Sequence, residues 1–161
     1  MNSILKVTDE DIKRLGSNEL TALMIRLLYL ETEKYDIPKS CVSGSLSITS
    51  KDGGIDGSVI WEGGKSNTDW FPSRKCLFQF KASKFGPEAC YKELFKDIDK
   101  KILKSKLKDV GIKKDVHYVL VNNEALTEIM IESRAEKIQK GFHDAGNQGV
   151  KKIDITVYGA T

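Results

Sequence analysis

Cysteine, proline and histidine are scarce in this sequence, and the first two scarcities exclude whole classes of protein. The three cysteines, Cys41, Cys76 and Cys90, are odd in number and none are spaced as C-x-x-C, which argues against a disulfide scaffold and a zinc site. Three prolines and 13 glycines in 161 residues exclude a collagen-like chain, and a 40% hydrophobic content excludes a disordered one. The thiol pattern predicts reduced cysteines and a cytoplasmic protein.

Long apolar runs and a secretion signal are also missing from the sequence. No apolar run approaches the roughly 18 residues that are needed to cross a bilayer. Residues 1–11 lack the basic start and apolar core of a signal peptide. We therefore expect no membrane partner, and the length of 161 residues predicts a single domain, 1–161, with a core of its own.

Charge is distributed unevenly, although the net charge is only +3. Residues 1–64 carry a net charge of −3 and residues 65–161 carry +6. The densest stretch, 92–114, holds nine lysines against four acidic residues. This layout is typical of a protein that contacts a polyanion and holds a cation. Charge alone favours the alternative, which is a solvated lysine-rich helix.

Apolar periodicity and turn residues predict eight elements in the order α-β-β-β-α-β-α-β. The first helix is expected to be capped by Ser17 or Asn18. This order predicts an α/β fold with a mixed central sheet flanked by helices. The expected elements are a helix at 17–34, strands at 42–50, 55–62 and 76–82, a lysine-rich helix at 88–108, a strand at 116–121, a helix at 124–142 and a strand at 153–158.

Three patterns that would indicate other chemistry fail on spacing or context. Residues 63–66 end like a phosphate-binding P-loop, but the first glycine of that motif would fall at Val59. Residues 52–57 begin like a calcium loop, but a glycine occupies the position of its bidentate glutamate. His117 and His143 have no serine elbow near them, so we expect structural roles for both.

One group of polar residues has a spacing that suits catalysis. Gln79 and Lys81 flank Phe80 in a predicted strand, so their side chains project from the same face of the sheet. If the preceding strand pairs with this one, Asp56 faces them, and Glu19 of the first helix can add another oxygen. Such oxygens suit Mg²⁺, and a lysine beside the cation can stabilise a phosphoryl transition state. The set contains the parts for hydrolysing a phosphodiester.

Each of these residues taken alone also fits an ordinary structural role. Lys81 could be a strand lysine that extends its ammonium group to water, and Asp56–Gly57 could be a simple turn. It is the combination of a helix glutamate, a Gly-Ile-Asp-Gly segment and a Gln-x-Lys strand that favours catalysis.

This combination resembles the PD-(D/E)XK nuclease superfamily, in its Mrr-like restriction endonuclease branch. The matching residues here are Glu19, Asp52–Gly57 and Gln79–Lys81. The resemblance covers residues 17–122 and implies a restriction-endonuclease-like αβββαβ core, with 124–158 as an extension. It also implies a Mg²⁺-dependent endonuclease that cuts DNA, with Mn²⁺ as a substitute cation.

The resemblance implies a role for each matched residue. Asp56 corresponds to the metal-binding aspartate, Gln79 to the second acid and Lys81 to the catalytic lysine. The backbone carbonyl of Phe80 corresponds to a further metal ligand. Because Gln79 has no charge, metal affinity would depend on Asp56 and on Glu19, the helix glutamate.

The identity of the helix glutamate and the biological setting leave alternatives open. Glu31 also borders the apolar stripe of the first helix and can take the place of Glu19. Domains of this branch serve as N-terminal effectors of larger defence proteins such as antiviral STAND NTPases (Avs proteins), so C-terminal regulatory domains are expected partners. Double-strand cleavage commonly needs two active sites, so self-association is expected. The alternatives are an inactive nucleic-acid-binding module of the same fold and an RNase. The candidate phosphate contacts are Lys65, Arg74, Lys75, Lys84, Lys100, Lys101, Lys104 and Lys108.

Overall fold

The computed structural model describes residues 6–44 and 54–160, which form a mixed sheet flanked by helices. The predicted α/β fold class, with helices on both faces of a mixed sheet, is confirmed. In chain order the elements are helices α1 (Asp9–Lys13) and α2 (Ser17–Lys34), strands β1 (Val42–Gly44), β2 (Gly57–Ile60) and β3 (Lys75–Lys81), helix α3 (Pro87–Glu93), strands β4 (Phe95–Asp97), β5 (Ile102–Leu103) and β6 (Val116–Asn122), helix α4 (Glu128–Asp144) and strand β7 (Ile155–Tyr158). Short 3₁₀ turns lie at Lys39–Cys41, Ser105–Leu107 and Lys152–Asp154.

The five-stranded sheet has the order β1-β2-β3-β6-β7. Strands β1, β2 and β3 pair antiparallel, with Gly57 opposite Phe78, whereas β6 runs parallel to both β3 and β7. All seven residues of β6 are buried, as its nearly continuous apolar run predicts for a strand covered on both faces. Strands β4 and β5 form a separate hairpin.

The two faces of the sheet carry different helices. On one face, Leu20 and Leu28 of α2 pack in a cluster with Phe78 and Phe80 of β3. The other face packs against α3 and α4, where Leu77 joins a second cluster. Because side chains alternate along a strand, Gln79 and Lys81 project on the α3 side, away from α2.

Helix α2 has the predicted bounds, but it begins differently. Gly16 is its N-cap instead of Ser17 or Asn18, and the Glu19 carboxylate accepts a hydrogen bond from the Gly16 N–H at 2.9 Å. The short helix α1, which is capped by Thr8, was not predicted. None of the helices in the described ranges is long and apolar enough to span a membrane.

The predicted helix over 88–108 is wrong. Helix α3 ends at Glu93, and the chain then forms the β4–β5 hairpin. The Asp97 carboxylate accepts a hydrogen bond from the Lys100 N–H at 3.0 Å, and Lys101 adopts a left-handed conformation with φ of 53°. These two features make a turn, and they place Leu103 opposite Phe95 in the hairpin. The sequence predicts a helix here because the buried apolar residues at the two ends of the hairpin are spaced as they would be along one face of a helix.

Several predicted boundaries also shift. Of the strand expected at 42–50, Val42–Gly44 forms β1, and residues 45–50 lie outside the described residues. The strand expected at 55–62 begins at Gly57, so Asp56 precedes it. Gly57 lets α2 approach closely, since a Cβ atom there would lie 3.1 Å from the Ile25 Cδ1 atom. Helix α4 begins at Glu128, after its N-cap Thr127, four residues later than expected.

Candidate functional site

Asp56 lies beside the Gln79–Lys81 segment because of the β2–β3 pairing. Its backbone N–H donates to the Phe78 carbonyl at 2.8 Å, which continues the antiparallel ladder by one residue. Its carboxylate oxygen Oδ2 accepts a hydrogen bond from the Phe80 N–H at 2.7 Å. Gln79 and Lys81 are the neighbours of Phe80 on either side. The structure therefore brings the aspartate, the glutamine and the lysine together, as the spacing predicts.

A fourth residue, Glu93, completes this group from the end of α3. The Lys81 Nζ atom lies 2.9 Å from the Glu93 Oε1 atom, and the Lys104 Nζ atom lies 2.8 Å from the same oxygen. Side-chain exposure is 24% for Lys81, 27% for Lys104 and 21% for Glu93, so this ion-pair cluster is partly shielded from water. We refer to Asp56, Gln79, Lys81 and Glu93 as the candidate site.

The amide of Gln79 is buried, and only its nitrogen has a hydrogen-bond partner among the described residues. Its Nε2 atom donates to Glu93 Oε1 at 3.4 Å, which fixes the orientation of the amide because a carboxylate oxygen can only accept. The Oε1 atom of Gln79 has no hydrogen-bond partner within the described part of the chain. Gln79 is 4% exposed, so this oxygen is a buried acceptor, which is costly to leave without a donor or a cation.

The cluster is arranged to keep Glu93 ionised. Burial favours the neutral acid, but hydrogen bonds from Lys104 and Lys81 and the charges of these two ammonium groups outweigh it and lower the Glu93 pKa. Two positive charges thus face one carboxylate. The Lys81 ammonium also lies 5.3 Å from the centre of the Phe85 ring, which helps to fix its position.

A small polar cleft opens beside Asp56. Its volume is about 140 Å³, and Ser43, Asp56, Ser58 and Lys106 contribute to its lining. Lys106 belongs to the 3₁₀ turn that follows β5. The neighbouring Lys104 packs its methylene groups against Gly54, so the basic segment lies directly against the Gly-Ile-Asp-Gly segment. Part of the positive charge of residues 92–114 therefore reaches the candidate site.

Glu19 and Glu31 do not join the candidate site. The Glu19 carboxylate is exposed and caps the start of its own helix at Gly16. Glu31 is 7% exposed, and its carboxylate accepts a hydrogen bond from the Trp70 N–H at 3.2 Å. Both belong to α2, which covers the face of the sheet opposite to the one from which Gln79 and Lys81 project.

The other predicted phosphate contacts are scattered. Lys100, Lys101, Lys104 and Lys108 are not aligned, because the helix expected over 88–108 does not form. Lys75 starts β3 and Lys81 ends it, which separates them by roughly 20 Å along the strand. Lys65 and Arg74 lie at the Lys75 end, where Arg74 Nη2 donates to the Gly64 carbonyl at 2.6 Å. The rest are dispersed: Lys84 is exposed after β3, Lys100 and Lys101 lie at the tip of the β4–β5 hairpin, and Lys108 is exposed after the 3₁₀ turn.

The donor set suits a hard cation in type, although it is small. Among the described residues no three histidine, cysteine, aspartate or glutamate side chains form a metal-binding group. The candidate site instead offers two carboxylates, Asp56 and Glu93, and the buried amide oxygen of Gln79 that lacks a donor. Oxygen ligands of this kind fit Mg²⁺, which keeps several waters when it binds to proteins. A ligand role for the Phe80 carbonyl stays a prediction.

Sequence patterns missed Glu93 and Lys106 for the same reason. Both fall in the lysine-rich stretch for which the sequence predicts one helix, and on such a helix an acidic residue resembles a solvated partner of its neighbours. The available signal was the glutamine at position 79. Because an amide carries no charge, a cation site that included Gln79 would need a further carboxylate from elsewhere in the chain.

Comparison with family models, with curated proteins and with solved structures gives no match to this chain.

Proposed function

We propose that this protein is a metal-dependent endonuclease that hydrolyses phosphodiester bonds in DNA, double-stranded DNA in particular. The proposal rests on the contact between Asp56 and the Gln79–Lys81 segment. The aspartate oxygen accepts a hydrogen bond from the Phe80 N–H at 2.7 Å. A carboxylate, an amide oxygen and an ammonium group are thereby held at one end of a rigid central strand. Catalytic groups need this kind of fixed placement.

Each residue of the candidate site has a different role in the proposed hydrolysis. Lys81 holds a positive charge at the site and donates hydrogen bonds to a phosphate oxygen as negative charge develops on it. Glu93 orients that ammonium group through the 2.9 Å ion pair. Asp56 and the Oε1 atom of Gln79 provide ligands for Mg²⁺ or Mn²⁺. When bound, the cation supplies a water of lowered pKa and neutralises charge on the phosphate.

Charge near the candidate site supports a polyanionic substrate. Lys106 lines the cleft beside Asp56, and Lys104 lies against the same segment through Gly54. Residues 65–161 carry a net charge of +6, so the half of the chain that holds β3, α3 and the hairpin attracts phosphate at long range. A double-strand cut is expected to need two copies of the domain on one duplex.

The proposed setting is a defence protein in the cytoplasm, in which further regulatory domains control the nuclease. The cysteines support the compartment, since Cys41, Cys76 and Cys90 are all free thiols and two of them are buried. Burial raises the pKa values of Cys76 and Cys90 to about 11, so neither thiol is reactive at neutral pH.

The test is a cleavage assay on supercoiled plasmid DNA with Mg²⁺, with Mn²⁺ and with EDTA. We expect nicked and linear products with either cation and none with EDTA. Lys81→Ala should slow cleavage by about 10²–10³-fold at saturating DNA, as loss of one transition-state donor does. Lys152→Ala is the matched control, because this exposed lysine pairs with the exposed Glu132 and Glu136 of α4 and with no residue of the candidate site.

Each alternative has its own outcome in the same assay. Binding of DNA without cleavage under any cation would identify an inactive nucleic-acid-binding module. Cleavage of a single-stranded RNA of mixed sequence, with the plasmid left intact, would identify an RNase. Equal cleavage by Lys81→Ala and Lys152→Ala would remove Lys81 from the chemistry and overturn the proposed site.

A further inference from the structure

Without Glu93, the candidate site has too little negative charge for a divalent cation. Gln79 is neutral, and the helix glutamate that the resemblance implies, Glu19 or Glu31, belongs to α2 on the other face of the sheet, where Glu19 caps its own helix. Asp56 alone would then face Lys81. Cation affinity in oxygen sites rises with the number of charged ligands, so a further carboxylate is needed for useful binding.

Glu93 is placed to provide this carboxylate. It lies on the same side of the sheet as Gln79 and Lys81, and its Oε1 atom receives Gln79 Nε2 at 3.4 Å, Lys81 Nζ at 2.9 Å and Lys104 Nζ at 2.8 Å. Its second oxygen, Oε2, receives no hydrogen bond from the described residues. The amide that binds Oε1 also carries the buried Gln79 Oε1 atom, which has no partner in the same part of the chain.

We propose that Glu93 is the second carboxylate of a divalent-cation site that also includes Asp56 and the Oε1 atom of Gln79. This inference rests on the proposed function and adds a ligand to it. The hydrogen bond between the Gln79 amide and Glu93 links the two side chains, so each holds the other in place. Glu93 thus replaces the helix glutamate that the sequence pattern had assigned to α2.

The two lysines around Glu93 give this proposal a distinctive electrostatic consequence. Asp56 and Glu93 carry two negative charges, and Lys81 and Lys104 carry two positive charges, so the group is neutral before a cation binds. Lys104 therefore competes with the cation for Glu93. Removal of its charge should strengthen cation binding, whereas removal of the Glu93 charge should weaken it.

The experiment is a calorimetric titration of the whole chain with Mn²⁺ alone, without DNA. Glu93→Gln keeps the shape and an acceptor oxygen but loses the charge, and Lys104→Met keeps the methylene groups that pack against Gly54. Residues that merely orient a ligand change metal affinity by about 10–100-fold, so loss of a charged ligand should weaken Mn²⁺ binding at least about tenfold. Lys104→Met should tighten it by about threefold or more.

Two matched variants control for charge alone. Glu132→Gln removes an exposed carboxylate that pairs with Lys152, and Lys113→Met removes an exposed ammonium group that pairs with Asp109. Both should bind Mn²⁺ as the wild type does. A melting curve of each variant confirms that the fold is retained before titration.

The outcomes separate this inference from the proposed function. If Glu93→Gln binds Mn²⁺ as tightly as wild type, or if Lys104→Met does not tighten binding, Glu93 is a structural ion-pair partner and the inference is overturned. The nuclease proposal survives that result if the wild type still cuts plasmid DNA with Mg²⁺. If the opposite changes in Mn²⁺ affinity occur but no nucleic acid is cut, the cation site stands and the proposed function falls.

Discussion

Asp56 and Phe80 are joined by a hydrogen bond in which the aspartate oxygen Oδ2 accepts the backbone N–H at 2.7 Å. The bond links the residue before β2 to the penultimate residue of β3. It gives Asp56 a structural role in addition to its proposed catalytic one. The two roles can be separated, because the hydrogen bond needs an acceptor oxygen whereas cation binding needs a negative charge.

We expect Asp56→Asn to lose cleavage while keeping most of the stability, because the asparagine amide oxygen can still accept the Phe80 N–H. Asp56→Ala removes the acceptor and leaves a buried donor, which should cost about 1–3 kcal/mol of unfolding free energy. In a chain of this length each kcal/mol lowers the melting temperature by about 2–4 °C. Melting curves and plasmid cleavage of both variants test this prediction. Cleavage by folded Asp56→Asn at the wild-type rate would contradict the role of its charge.

We expect Gln79→Glu to bind Mn²⁺ more tightly and to retain some cleavage, since it adds a negative charge beside the cation. Without a cation the same change should lower the melting temperature, because the Gln79 amide donates to Glu93 at 3.4 Å and a carboxylate there would repel it. Mn²⁺ should therefore raise the melting temperature of Gln79→Glu by more than it raises that of the wild type.

Gln148→Glu is the control for this substitution, because its amide binds the His143 carbonyl on the exposed end of α4. Calorimetry and melting curves with and without Mn²⁺ provide the measurements. Equal or weaker Mn²⁺ affinity in Gln79→Glu would show that this side chain does not face the cation.

The sheet and its two long helices could be predicted from the sequence because their signals are local. The apolar stripe of 17–34 recovers α2, and the apolar run beginning at Val116 recovers β6. The β4–β5 hairpin could not be predicted, since its apolar residues recur with a helical period. The hairpin is determined by the Asp97 side chain, which accepts a hydrogen bond from the Lys100 N–H, and by the left-handed conformation of Lys101. Neither feature changes the spacing of the apolar residues.

The candidate site shows the same limit over longer distances. Gln79 and Lys81 share a face because a strand alternates, and β2–β3 pairing adds Asp56, so these three could be placed together from the sequence. Glu93 comes from a helix that packs across the sheet, and its side chain direction depends on where α3 ends. Glu19 and Glu31 could not be placed in this way, because helical periodicity identifies a buried face of the helix but does not show which face of the sheet that helix covers.

His117 should make the stability of the protein depend on pH. It is 7% exposed, and its Nε2 atom lies 2.8 Å from the Thr156 hydroxyl. Burial lowers its pKa from 6.5 to about 4, while Asp154 opposes the shift. The folded pKa is depressed, so the unfolded chain binds the proton more readily between these values. The contribution of the neutral His117 to the unfolding free energy is therefore complete above pH 6.5 and falls as the pH drops toward 4.

We expect wild type to lose about 2 kcal/mol from His117 between neutral pH and about pH 5. His117→Gln can still bind Thr156 but cannot titrate, so it should lack this part of the loss. Urea unfolding of both proteins across the range measures it, and the carboxylates that they share cancel in the difference. Parallel stability curves would contradict the burial of a neutral imidazole.

The last prediction separates DNA binding from chemistry with two lysines near Asp56. Lys106 lines the cleft and is proposed to contact phosphate, whereas Lys81 acts on the reacting group. Lys106→Ala should weaken DNA binding at moderate salt and reduce the slope of log affinity against log salt by about 0.9, the value for one phosphate contact. Its cleavage rate at saturating DNA should stay near wild type. Lys81→Ala should show the reverse pattern, with a slow rate and little change in affinity.

Lys113→Ala is the control for this pair, because Lys113 lies in the same lysine-rich stretch but pairs with Asp109 at 3.0 Å on the surface. Fluorescence anisotropy with a labelled duplex across a salt series gives the affinities, and single-turnover cleavage gives the rates. If Lys106→Ala and Lys113→Ala have the same salt slope as wild type, the cleft does not receive phosphate. DNA would then have to reach Lys81 from the side of the β4–β5 hairpin, where Lys100 and Lys101 lie.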